Sequence, residues 1–361
     1  MSPASGRRRG LRLVTVLLAV IGGTLLASLS FPRSVPHSRA KWEIDPQDRR
    51  VVGIFNTLEE RGLAPALDSL EYRAARDSAV LRGAHQLAHA LGRQALLRDA
   101  GDPTILAHCR PIFGSGCYHG VVEAFINQRG RVDMTELRQM CATAGAKLQA
   151  GAVYECAHGL GHGVLGAVGL DIGAALGHCD ALDRPNLVSA CHEGAFMEAI
   201  SSAVAERESH PSHAHGSSHV PHTGRITIDR GDVYSPCDRF TEAYGDACWL
   251  FQGFLILRDV DFDAGRALRI CEAAPRGRAD RCAQSVGHQL AGLFQRSDAW
   301  LADQCAKGDA GPAVSCASGA ALALVLMDWS GTRVNRYCGA VPSAWRTACF
   351  AAAGEALARG S

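Results

Sequence analysis

Fourteen cysteines fall into seven sequential pairs: Cys109/Cys117, Cys141/Cys156, Cys179/Cys191, Cys237/Cys248, Cys271/Cys282, Cys305/Cys316 and Cys338/Cys349. In each of the last four pairs the two cysteines lie 11 positions apart, and the first cysteines recur at intervals of 34, 34 and 33 residues. A fixed interval of this size marks an array whose units are single helical hairpins. No cysteine precedes position 109 and the count is even, as expected for disulfides formed in an oxidising compartment. Zinc is the rival reading, because Cys117-Tyr-His119, Cys156-Ala-His158 and Cys191-His192 set thiol beside imidazole. The pairing continues through Cys305/Cys316 and Cys338/Cys349, where no histidine is near. Disulfides explain every pair, and zinc only three.

Each unit carries a second mark. Eight residues before the first cysteine stand Asp133, Asp171, Asp229, Asp263, Ser297 and Ser330; in the first unit Asp102-Pro103 stands seven before Cys109. Asp and Ser accept from the unpaired N–H groups of a helix's first turn, and Pro is favoured just inside. The unit is therefore a cap, a short helix A ending at the first cysteine, a loop, and a helix B starting near the second. A disulfide across the mouth contributes roughly 3 kcal/mol in the chain-entropy picture, which offsets the small apolar face of helix A.

This organisation resembles the cysteine-rich, tetratricopeptide-like helical-hairpin repeats of exported bacterial proteins over residues 100–361. The resemblance implies an interaction scaffold, with a protein partner on the concave face. The expected fold is all-α: a disulfide-stapled α/α hairpin array, or solenoid, behind an N-terminal membrane helix. The boundaries read as a cytoplasmic segment 1–12, an anchor 13–31, a linker 32–44, a leading unit 45–100 with helices over 63–72 and 80–97, repeats one to three over 101–208, a histidine-rich insert 209–226 and repeats four to seven over 227–361. Arg7, Arg8, Arg9 and Arg12 precede the apolar run Leu13–Phe31, which is long enough to span a bilayer. It reads as an uncleaved anchor, with a cleaved secretion signal as the alternative; either orientation rule exports the rest.

The chemistry lies in a column of histidines. Two and six residues past the second cysteine stand His119 and Glu123 in the first unit, His158 and His162 in the second, and Glu193 and Met197 in the third, with His192 adjacent. The leading unit supplies His85 and His89 by its pattern. Residues four apart share a helix face, and neighbouring helices lie about 8–10 Å apart, so side chains from successive B helices can meet at one ion. Six imidazoles (His85, His89, His119, His158, His162, His192) and two carboxylates (Glu123, Glu193) are enough for one or two transition-metal ions, with Fe, Cu and Zn all suited to imidazole. Glu123 and Glu193 are the candidate proton acceptors of a metal-dependent oxidation or hydrolysis.

The competing reading takes Gly120, Gly159, Gly161 and Gly163 as aids to close helix packing, with imidazoles bonded to loop carbonyls. Units four to seven place Leu250/Phe254, Gln284/His288, Ser318/Leu322 and Ala351/Glu355 at the same column positions, so the polar ligands gather at one end. A third expectation assigns metal capture or delivery to His210, His213, His215, His219 and His222 of the insert. With 37 Lys+Arg against 36 Asp+Glu spread along the chain, a nucleic-acid footprint is not expected. The sequence has no Cys-x-x-Cys-His, phosphate-binding glycine loop, Gly-x-Ser-x-Gly or His-Glu-x-x-His.

Overall fold

The computed structural model describes residues 48–360, apart from 146–150, 210–223, 230, 241, 276 and 295. The segments 1–12, 13–31 and 32–44, and the five histidines of the insert, lie outside the described residues. What is described is all-α, with no strand. In chain order the helices are α1 (Val52–Arg61), α2 (Leu63–Ala74), α3 (Ser78–Arg82), α4 (Ala84–Arg98), α5 (Gly116–Arg129), α6 (Met134–Gly145), α7 (Ala152–Ala167), α8 (Ile172–Cys179), α9 (Pro185–Ser209), α10 (Glu242–Asp259), α11 (Ala264–Glu272), α12 (Ala279–Phe294), α13 (Asp298–Cys305), α14 (Ala310–Met327), α15 (Thr332–Ala340) and α16 (Ser343–Arg359). A short 3-10 turn at Pro103–His108 stands where helix A of the first unit was expected; in the fourth unit no helix forms among the described residues between Asp229 and Cys237, and a 3-10 turn follows at Cys237–Arg239.

All fourteen cysteines are paired as the order along the chain implies, each bond joining the end of an A element to the start of a B helix with Cα atoms 5.3–5.6 Å apart. No thiol is left to hold zinc. Most caps form where Asp or Ser stands. Asp171 accepts from Ala174 N at 3.0 Å, Asp263 from Arg266 N at 3.0 Å and Ser297 from Trp300 N at 3.2 Å. Two departures have local causes. Asp229 accepts from Gly231 N at 2.8 Å and turns the chain instead of opening a helix, and Ser330 sits one residue outside α15, whose N-cap is Gly331. The leading unit is also more broken than expected, because it holds an additional helix, α1, and Gly83 divides α3 from α4.

The B helices pack in chain order, α4 on α5, α5 on α7, α7 on α9, then α9, α10, α12, α14 and α16. Their spacing is set by glycine. A Cβ on Gly120 would lie 1.9 Å from the carbonyl oxygen of His89, and one on Gly194 would lie 1.9 Å from that of His158. Only a residue without a side chain lets backbones approach so closely. Among the described residues one helix, Ala310–Met327, is long and apolar enough to cross a membrane; here it packs between α12 and α16.

The hairpins do not touch only their neighbours, as those of an open solenoid do. The chain end returns to the second and third units: Gly151 N donates to Gly360 O at 3.2 Å, Asn186 Nδ2 to Arg359 O at 2.6 Å, and Trp329 Nε1 to Glu155 Oε1 at 3.1 Å.

Candidate metal centre

Five of the histidines read from the sequence come together. His85 and His89 project from α4, His119 from α5, and His158 and His162 from α7. Because Gly120 seats α4 against α5, the ring centroids of His85 and His89 lie 5.4 and 5.9 Å from that of His119. On the other side His158 and His162 stack on His119 at 5.1 and 4.3 Å. Ligand atoms of His119, His158 and His162 all lie within 4.8 Å of one another.

Within this trio the His158 and His162 Nε2 atoms are 3.3 Å apart. Two nitrogens bound at 2.0–2.1 Å to one tetrahedral ion are separated by about 3.3–3.4 Å, so the pair already has the spacing of two ligands. His162 Nδ1 faces Glu198 Oε2 at 3.1 Å, and Ser202 Oγ donates to Glu198 Oε1 at 3.2 Å. A carboxylate behind the outer nitrogen fixes the ring and leaves Nε2 inward, the arrangement that supports metal-bound imidazole. Burial would raise the Glu198 carboxyl, but the bond and charge of His162, with smaller help from His89 and Ser202, hold it down to about 2.

His119 is fully buried, and neither Nδ1 nor Nε2 has a hydrogen-bond partner among the described residues. An unpaired buried polar atom costs roughly 1–3 kcal/mol, so a ring with two of them is a defect unless something else occupies them. His85 donates from Nδ1 to Phe113 O at 2.8 Å, which leaves its Nε2 unprotonated. His89 Nδ1 lies 3.4 Å from Glu123 Oε2 and 3.3 Å from Arg93 Nη2, while Arg93 donates to Glu123 at 3.2 Å. Burial first, and then the neighbouring imidazoles, push His85, His89, His119 and His158 below the ordinary histidine range. They are held as neutral rings, the form in which imidazole ligates.

The other expected residues lie elsewhere. Glu123 stands behind His89, not among the ring nitrogens. His192 Nε2 pairs with Asp180 Oδ1 at 2.9 Å, and Tyr244 donates to the other oxygen of that carboxylate at 2.8 Å. Glu193 accepts from Tyr154 at 2.6 Å and faces Arg359 at 3.5 Å. The side chains of His192 and Glu193 are thus committed outside the trio. Glu198 was missed because the column was sampled two and six residues past each cysteine, and Glu198 stands seven past Cys191. It stands one residue past Met197, the last position sampled on α9.

The carbonyl contacts of Gly120 and Gly161 bear out the packing role of those glycines, and the Nδ1 bond of His85 bears out one imidazole bound to a loop carbonyl. Protein-family models, curated proteins and solved structures were all compared with the chain and none matches, so function has to be read from the side chains themselves.

Proposed function

We propose that this is an exported, disulfide-stapled helical protein, anchored through residues 13–31, that holds a transition-metal ion on His119, His158 and His162. The observation that carries the reading is the His119 ring, buried with both nitrogens unpaired beside two Nε2 atoms 3.3 Å apart. Imidazole ligands suit Zn, Cu and Fe alike. Three of them leave a coordination position open, which is what Lewis-acid hydrolysis or redox chemistry requires. Seven disulfides in the described part suit the oxidising surroundings of an exported protein.

Packing alone does not account for the histidines. Gly319 sits against the Gln284 carbonyl with its missing Cβ 1.8 Å away, the same close approach as at Gly120 and Gly194, while its own helix carries Ser318 and Leu322 at the column positions. The test is elemental analysis of the full-length protein purified without a histidine tag, compared with His119→Ala and His158→Ala/His162→Ala. At least one ion per chain is expected in the wild type beyond what either variant retains; the difference cancels metal taken up by the histidine-rich insert. Equal metal in all three leaves the scaffold reading, in which a partner docks on the helices and the histidines are incidental.

A further inference from the structure

We infer that the cluster is a two-ion site in which His119 bridges the ions, one held with His158 and His162 and the other with His85 and His89. This rests on the metal-binding reading above and goes beyond it in nuclearity and ligand set.

A histidine that binds one ion uses one ring nitrogen and donates from the other to a carbonyl or carboxylate. Two of the surrounding rings have such an outer partner, Phe113 O for His85 and Glu198 for His162, while His89 Nδ1 faces both Arg93 and Glu123. His162 turns Nε2 inward, 3.3 Å from that of His158. His119 is the exception, with no acceptor at either nitrogen, and two histidine pairs lie around it, the ring of His89 in one being 6.5 Å from that of His162 in the other. His158 and His162 of α7 lie 5.1 and 4.3 Å from it; His85 and His89 of α4 lie 5.4 and 5.9 Å from it. The two flanks repeat one design, a pair of imidazoles one helical turn apart with a carboxylate behind one of them, Glu198 on one side and Glu123 on the other.

A ring shared by two ions accounts for both unpaired nitrogens, whereas a single ion accounts for one. Binding at both nitrogens requires the His119 ring proton to leave to solvent as the second ion enters. Each ion then has three nitrogen ligands, with Glu123 and Glu198 positioning His89 and His162 rather than ligating. The site takes divalent ions that accept imidazole, and its open positions face a pair of metals rather than one.

Copper(II) is the probe. The metal-free full-length protein is loaded with Cu(II) and freed of excess, total copper is measured by elemental analysis, and EPR-visible copper is counted on the same sample. Two unpaired spins joined through one imidazole ring couple, so the wild type is expected to hold two coppers per chain that EPR does not count as isolated ions. His119→Gln should leave no such deficit. His85→Gln/His89→Gln should bind one copper fewer, and the remaining ion should become visible. Copper on the insert is visible throughout and does not enter the deficit. The spin count on the wild type needs no variant, and circular dichroism checks that the variants fold. If every copper in the wild type is visible, the bridge is overturned. If His158→Gln/His162→Gln still lowers the copper by one ion, the single-ion reading stands and only the bridge falls; if no variant changes the copper content, both fall.

Discussion

The two halves of the stapled chain use the same packing and line it with opposite chemistry. From α4 to α9 the B helices meet through glycine–carbonyl contacts at Gly120, Gly161 and Gly194, and from α10 to α14 through close glycine–backbone approaches at Gly253, Gly287 and Gly319. The disulfides have the same reach in both halves, with Cα separations of 5.5–5.6 Å in the first and 5.3–5.6 Å in the second. Yet the column that carries His119, His158 and His162 in the first half carries Leu250, Phe254, Gln284, Ser318 and Leu322 in the second, with His288 as its single imidazole. Nothing in the fold requires imidazole at those places. Five neighbouring rings cost desolvation and mutual repulsion, which the second half avoids.

The comparison breaks if the glycines of the two halves are not equivalent. Gly120→Ala and Gly319→Ala each force a methyl onto a carbonyl, at 1.9 and 1.8 Å, and each is expected to cost upwards of about 3 kcal/mol in denaturant unfolding. A much smaller loss at Gly319 would mean the second half packs loosely and is a poor control for the first.

Next in size is the joint between the halves, where Trp329 of the second donates to Glu155 of α7. Glu155 is 5 % exposed, and burial outweighs the Trp329 bond to raise its carboxyl from 4.5 to about 7. The folded state therefore holds this proton more tightly than the unfolded one. Its contribution is fully present below pH 4.5 and is lost as pH rises to about 7, on the order of 3 kcal/mol in all. The buried histidines, held below their ordinary range, act in the opposite sense over this window, so the measured quantity is a difference: as pH rises from 4.5 to about 7 the metal-free wild type should lose stability relative to Glu155→Gln, and a constant difference between the two would remove Glu155 as a source.

Glu198→Gln sharpens the metal argument specifically. Losing the carboxylate behind His162 should weaken metal binding by about 10–100-fold, or roughly 1.4–2.7 kcal/mol, as outer-sphere partners generally do. Competition against a chromophoric chelator reads this directly, and wild-type affinity in the variant would mean that Glu198 does not support a ligand.

The smallest effect belongs to the second half. Ser318 stands where His158 stands in the first, and its hydroxyl donates only to Val314 O of its own helix at 3.1 Å. Ser318→Ala should change stability by less than about 0.5 kcal/mol and metal content not at all. A change in bound metal would place a ligand where the structure puts none.

How much was legible follows from the range of each interaction. The disulfides were readable because each closes a loop of 8–15 positions within one hairpin, and the caps because Asp171, Asp263 and Ser297 bond amides three residues on. The histidine column was half legible. Periodicity put His119, His158 and His162 at one repeat position, and they do converge. The same periodicity placed His192 and Glu193 with them, but Asp180, Tyr244, Tyr154 and Arg359, arriving from other loops and helices, hold those side chains elsewhere.

By itself the sequence determined an all-helical, disulfide-stapled chain with imidazole gathered at one end, since local spacing dictates helix starts, loop closures and which face of a helix is polar. Only the tertiary structure decided that five rings share one interior while two expected partners leave it, that Glu198 stands behind His162, and that Trp329 reaches Glu155 from 174 positions away. Those outcomes depend on how closely backbones approach and on which distant groups compete for each side chain. Both are set by the packing of whole helices and not by any short stretch of sequence.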